Sequence, residues 1–121
     1  MEEVHTAGAP ARIKLTADRA SIQAGGKDLS FLTARIEDAK GNLCPSADNL
    51  VQFSVTGAGE IAGVDNGNAA TIEPFQADHR KAFSGMALLI VRSRAGGEKG
   101  RIHVTASSSG LTAAVADITT H

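Results

Sequence analysis

Apolar and polar residues alternate with period two through most of this chain. Ile13 and Leu15 alternate with Arg12, Lys14 and Thr16, and Leu32, Ala34 and Ile36 with Phe31, Thr33 and Arg35. Val51, Phe53 and Val55 alternate with Gln52, Ser54 and Thr56, the cleanest such segment, and Ile102, Val104 and Ala106 with Arg101, His103 and Thr105. Each pattern places an apolar row on one face and a polar row on the other, which predicts half-buried antiparallel strands. Met86–Val91 is apolar on both faces. A central strand covered on both sides fits that pattern, and so does an edge of the fold docked against another domain. Leu111–Ile118 is Ala-rich, but its place after the Ser108-Ser109-Gly110 turn predicts a hairpin partner for the strand before it.

Turn signals fall at Gly25-Gly26, Lys40-Gly41-Asn42, Gly57-Ala58-Gly59, Asn66-Gly67-Asn68, Gly96-Gly97 and Ser109-Gly110. Their spacing predicts roughly seven to nine short strands, the count of an immunoglobulin-like antiparallel β-sandwich in an all-β chain. The stretch Asn68–Phe83 is the least regular, and reads as a long connection with a helical turn near Gln76–Arg80. Long connections in compact domains are often functional. Residues 1–10 read as an interdomain linker with Met1 added for expression, since Pro and Gly in the segment 6–10 oppose helix and strand alike. Residues 11–119 form the sandwich and 120–121 a tail. The other reading of the N-terminus is a cytoplasmic protein, because MEEVHTAGAP lacks the cationic start and apolar stretch of a secretory signal.

A chain of 121 residues is one domain, large enough to bury a core without metals or cross-links. Its 12 Lys+Arg against 13 Asp+Glu leave no basic field for phosphate backbones, so nucleic acid is not an expected partner. The longest apolar run, Met86–Val91, is too short to cross a bilayer, and no membrane partner is expected either. Cys44 is the only cysteine, so no internal disulfide forms. Beside Pro45 it reads as a small apolar filler rather than a nucleophile, which needs a histidine held close by.

The candidate chemistry is sparse. Asp65-Asn66-Gly67-Asn68 offers three oxygen-bearing side chains, but a hard cation wants about six or more oxygens in a defined loop. Asn-Gly is itself a strong turn former, so the segment reads as a turn, and no metal or cofactor is expected. Glu60, Asp65, Glu73 and Asp78 could supply paired acids, yet they read as solvated loop charges. No two histidines have metal-ligand spacing; His103 belongs to the polar face of a strand, and only His79 sits in the long connection. A carbohydrate-binding module needs exposed aromatic platforms, and the chain has no Trp, no Tyr and four Phe. Phe31 and Phe53 fall in strands and are expected in the core, while Phe75 and Phe83 lie in or beside the long connection, where exposure is expected. That leaves room for a weak carbohydrate contact only.

One longer stretch is more specific than any of these. From Pro10 to Gly67 the chain reads PARIKLTADRASIQAGGKDLSFLTARIEDAKGNLCPSADNLVQFSVTGAGEIAGVDNG, with the phrases Leu15-Thr16-Ala17-Asp18, Gly26-Lys27-Asp28-Leu29-Ser30-Phe31, Asp38 through Pro45 and Val64-Asp65-Asn66-Gly67. It resembles the immunoglobulin-like C-terminal domain of many glycoside hydrolase family 2 enzymes of the β-galactosidase type. The likeness continues through Glu73-Pro74-Phe75, Arg80-Lys81-Ala82-Phe83 and Gly100–Ala106. A looser likeness to invasin- and intimin-type repeats rests on the D-x-x-G-N of Asp38–Asn42 and the V-T-A-S of Val104–Ser107, and it supports the fold alone. In such enzymes two glutamates on a (β/α)8 barrel do the chemistry, and a barrel needs roughly 250 residues. The resemblance therefore implies a non-catalytic accessory domain whose partners are the catalytic and other domains of a longer bacterial chain, periplasmic or secreted. It also implies a contact surface, in the loop carrying Asp65, Asn66, Asn68, Phe75, His79, Arg80 and Phe83, that docks on the barrel or borders its substrate cleft; a solvent-exposed loop at the end of the sandwich is the other reading. The competing class is a carbohydrate-binding or adhesion-type immunoglobulin-like module.

Overall fold

The computed structural model describes residues 8–65, 78–94, 96 and 99–121, and among these all regular structure is strand. Nine strands follow one another: β1 (Arg12–Ala17), β2 (Ser21–Ile22), β3 (Leu29–Glu37), β4 (Leu50–Gly57), β5 (Gly59–Asp65), β6 (His79–Lys81), β7 (Met86–Ser93), β8 (Gly100–Ser107) and β9 (Ala114–Thr120). They make a four-stranded sheet, β1-β3-β7-β5, and a five-stranded sheet, β2-β9-β8-β4-β6. Every pairing is antiparallel except the short β2–β9 contact. This is the expected all-β sandwich. The β9 ladder reaches Thr120, whose buried hydroxyl accepts from the Gly100 N–H at 2.8 Å. Ordered pairing thus runs one residue past the boundary expected at 119.

The inner rows are those the alternation marks. Leu32, Ala34 and Ile36 from β3 join Ala87, Leu89 and Val91 from β7 and Val64 from β5 in one layer. Val51 and Phe53 from β4, Ile102, Val104 and Ala106 from β8, and Ile118 from β9 form the other. Burying a Val, Leu, Ile or Phe side chain is worth about 1.5–3 kcal/mol each, so the registry of these rows fixes which face of each strand turns inward. Phe31 belongs to the opposite row of β3. It is 39% exposed on the outer face, so of the two strand phenylalanines expected in the core only Phe53 is there. The strand's own period overrides the aromatic's preference for burial.

β4 and β5 lie in opposite sheets although only Ala58 separates them. Glycines make that corner possible. Gly57 adopts a φ of +91°, and a Cβ there would be driven into the Arg101 carbonyl oxygen. A Cβ on Gly59 would come within 2.6 Å of Ile102 Cδ1 in the core. The return between sheets, from β6 to β7, uses a two-residue turn in which Phe83 and Met86 exchange both backbone hydrogen bonds. Its central residues, Ser84 and Gly85, have φ of +53° and +79°, the signs a type I′ turn demands.

Met86–Val91 forms most of β7, which runs between β3 and β5, so the strand is central in its sheet, but its outer row of Met86, Leu88 and Ile90 is not fully covered as expected. Leu111–Ile118 supplies most of β9, the expected hairpin partner of β8. The helical turn expected over Gln76–Arg80 is not found in its described part. His79–Lys81 instead pairs with Leu50–Gln52 as a short edge strand, and Arg80 faces inward while His79 and Lys81 face out. That alternation belongs to a strand.

Gly57→Ala is expected to destabilise the chain by roughly 1–3 kcal/mol from the strained φ alone, with the carbonyl clash adding to it. Urea unfolding followed by fluorescence-free far-UV circular dichroism measures the loss; an unchanged midpoint would refute this account of the corner.

Candidate functional site

The registers place several of the singled-out residues at one end of the sandwich. Arg12 pairs with Glu37, Arg35 with Met86, Asp65 with Leu88 and Leu50 with Lys81. The end of β3, the end of β5, the end of β6 and the Phe83–Met86 turn therefore lie together. The chain also enters there, since the Ala11 N–H donates to the Glu37 carbonyl at 2.9 Å.

The seven residues of the expected contact loop divide sharply. Asn66, Asn68 and Phe75 lie outside the described residues. Asp65 is half-buried at the end of β5. His79 is exposed on β6, its Nδ1 2.9 Å from Asp78 Oδ1. Phe83 is 44% exposed at the sheet-crossing turn. Arg80 is different: only 1% exposed, it donates from Nη2 to the Val64 carbonyl at 3.1 Å. Val64 belongs to β5 and Arg80 to β6, so this guanidinium ties one sheet to the other from inside. It holds the end of the sandwich together rather than presenting a surface. A buried charge keeps its place only with such partners.

Beside this end, residues Asp38–Asn42 form a carboxylate-centred loop. Asp38 accepts the Gly8 N–H on Oδ2 at 2.9 Å, and on Oδ1 the N–H groups of Lys40 and Asn42, both at 2.9 Å. The Asn42 amide adds a fourth contact at 3.2 Å. Those bonds, the one from Gly8 foremost, hold the Asp38 carboxyl well below the usual carboxylate range. The D-x-x-G-N spelling announces such a turn, but the capture of Gly8 was not legible in it. Glu37, 3% exposed, lies on the outer face between two arginines, Arg12 Nε at 3.2 Å and Arg35 Nε at 3.0 Å.

Cys44 is buried and its Sγ lies 3.5 Å from the Gly8 carbonyl. Burial, with the charges of Asp38 and Glu37 behind it, pushes the thiol's pKa up. A thiol kept protonated is a poor nucleophile, as the filler reading expects.

Other described carboxylates meet basic side chains or backbone N–H groups. Glu60 lies 3.6 Å from Arg92, Asp78 contacts His79, and Asp117 meets His103 at 2.8 Å. Asp28, at the far end, binds both Arg19 Nη atoms and accepts the Gln23 and Leu29 N–H groups. Arg19 first, then the Gln23 N–H, lowers its pKa to about 2. Among the described residues no group of three His, Cys, Asp or Glu could hold a metal ion. Three surface hollows, around Arg19 and Asp28, around Asn49 and Ser107–Ser109, and around Gly8 and Asp38, have no phenylalanine in their linings. Among the described residues no helix is long and apolar enough to cross a membrane. The arrangement offers hydrogen-bonded turns and ion pairs; Ser21 Oγ lies 2.9 Å from His121 Nδ1, an exposed contact with no carboxylate on that ring among the described residues.

Residues 13–117 match the family described as glycoside hydrolase family 2 C-terminal domain 5. The chain belongs to that family. Over 117 residues it is 51% identical to the β-galactosidase BoGH2A of Bacteroides ovatus, an alignment covering 97% of this chain and 14% of that enzyme. A solved glycosyl hydrolase family 2 member from Bacteroides cellulosilyticus superposes with a TM-score of 0.90 at 43% identity, over 95% of this chain and 15% of that one. A β-glycosidase from Bacteroides vulgatus gives a TM-score of 0.89 at 31% identity, over 93% of this chain and 14% of that one. The chain thus spans about one-seventh of the relatives it matches, as a C-terminal domain of larger multidomain enzymes does. The D00-D0 domain of intimin, at 19% identity and a TM-score of 0.67, shares the fold alone.

The pKa of Asp28 sets a pH window. Its folded value, about 2, lies below the roughly 3.9 of an unfolded aspartate. The carboxylate's contribution is therefore complete above about pH 4 and disappears as pH falls from there through about 2. Asp28→Asn is expected to lower the urea midpoint at pH 7 and to flatten its fall between about pH 4 and pH 2. A variant with the parent's acid profile would refute the assignment.

Proposed function

We propose that this C-terminal domain 5 is a non-catalytic accessory domain of a longer family 2 glycoside hydrolase of β-galactosidase type, exported to the periplasm or beyond in a bacterium. The observation carrying this reading is the 51% identity that covers 97% of this chain yet only 14% of a β-galactosidase. A (β/α)8 barrel needs roughly 250 residues, so the 121 residues leave the hydrolytic glutamates to another part of such a chain. The domain's task is then positional: packing beside the barrel and spacing its neighbours. In this reading the end of the sandwich carrying Asp65, His79 and Phe83 is turned towards the barrel, with Arg80 bracing it from within.

Phe83 favours a second reading, since an exposed ring offers a sugar a stacking face. A carbohydrate-binding module would use it directly, without any barrel. Two measurements separate the readings. Purified as it stands, the chain is expected to release no chromophore from a nitrophenyl galactoside, whereas the longer polypeptide containing it does; turnover by this chain alone would overthrow the accessory role. Titration with galactosides and plant oligosaccharides is expected to leave the NMR signals of Phe83 unmoved, and a saturable shift there would promote the binding module.

A further inference from the structure

The two outer faces of this sandwich are chemically unlike. On the five-stranded sheet the outward rows are polar: Gln52, Ser54 and Thr56 on β4, Arg101, His103 and Thr105 on β8, Asp117 and Thr119 on β9. The apolar residues facing out there, Leu50 and Val115, stand singly. The four-stranded sheet is the reverse at its centre. Phe31 of β3 lies directly opposite Ile90 of β7, and Leu88 and Met86 continue the same row of β7. Directly opposed side chains such as Phe31 and Ile90 are in contact range, about 4.5–5.5 Å between Cβ atoms; Leu88, between Thr33 and Asp65, and Met86, opposite Arg35, extend the apolar row along β7. Phe31 and Met86 are exposed, and Leu88 and Ile90 half-exposed. On the far side of Ile90 the ladder partner is Gly63, which has no side chain to cover it. Charges ring the patch: Lys14, Arg12 and Arg35 with Glu37 on one side, Arg92 with Glu60 on the other. An apolar centre with a charged rim is the anatomy of a protein–protein interface.

We infer that this outer face, centred on Phe31, Leu88 and Ile90, is the surface on which the domain docks against another domain of its own polypeptide. The inference rests on the accessory-domain reading and adds an outer face to the sandwich end which that reading turns towards the barrel. Three observations select the occupant. Full-length relatives are about sevenfold longer than the matched segment, which is 14% of the B. ovatus enzyme, so most of such a chain lies outside this domain. The polypeptide enters beside the Asp38 loop, at the end where Met86 opens the patch, and a neighbour reached through that entry has the apolar face within range. The entry itself is fixed to the sandwich by the Gly8–Asp38 bond, which lowers the ordering cost of docking nearby.

The test compares this chain with the longer polypeptide containing it. Hydroxyl-radical footprinting labels Phe, Met and Leu side chains according to their exposure. Labelling of Phe31 and Met86 is expected to fall severalfold in the longer polypeptide, while the outward Val115 of the other sheet keeps its rate. Phe31→Lys is expected to leave the melting of the short chain unchanged and to make the domain melt separately in the longer one. Should F31K fail to fold, I90T, which keeps a β-branched residue in the strand, carries the same expectation. Equal labelling of Phe31 and Met86 in both contexts would overturn the inference and leave the accessory reading standing. A gene encoding no larger enzyme would overturn both. Concentration-dependent dimerisation of the short chain, abolished by F31K, would assign the face to a second copy and refute the occupant named here.

Discussion

Two strands that follow one another with a single residue between them belong to opposite layers of this molecule, and the remaining placements depend on that corner. Once β4 has delivered Val51 and Phe53 to one inner row, the chain must cross a layer about 10 Å thick and begin β5 with its own apolar residues facing back. Gly57 turns the backbone where an L side chain would meet Arg101, and Gly59 passes flush against Ile102. The second crossing, through Ser84 and Gly85, is as tight, and it rests on the loop before β4: Gly85 donates to the Ala47 carbonyl and accepts from Ile36 N–H. The first crossing is thus supported by the layer it leaves, the second by the layer it enters.

The parts legible in the sequence are those where alternation is uninterrupted. β1, β3, β4 and β8 each carry several inward residues at strict period two, and no competing signal disturbs them. β5 was harder because it contains a bulge. The register shifts between Ile61 and Gly63, so its inward residues, Ile61 and Val64, stand three apart and no longer alternate. β6 escaped notice for another reason. It is three residues long and turns an arginine inward, the reverse of what a hydropathy pattern expects, and partners such as the Val64 carbonyl opposite make that inversion tolerable. Phe31 misled through its type: an aromatic in a strand suggests core, yet its own neighbours Leu32 and Ala34 had already claimed that side.

The connection between β5 and β6 was legible as a connection, and the described residues at its ends only in part. Its irregular composition marked a connection between sheets. The sequence could not reveal that Arg80 is spent internally, because burial of a charge depends on partners remote in the chain. Nor could it reveal that Phe83 sits at a sheet crossing. The most specific signal was the likeness of the whole stretch to one family, since dozens of turn and core positions must agree at once, whereas single residues such as Cys44 or His103 carry almost no functional information.

The bond between Gly8 and Asp38 has a mechanical meaning. β1 is an edge strand, held by β3 alone within its sheet, and edge strands are the first to peel when tension is applied at their end. A tug on the incoming polypeptide loads the Asp38 carboxylate before it loads the ladder, so the carboxylate acts as a strain relief for the seam behind it. That relief is a charge-assisted hydrogen bond, and protonating the carboxylate weakens it, leaving β1 less shielded from the same pull.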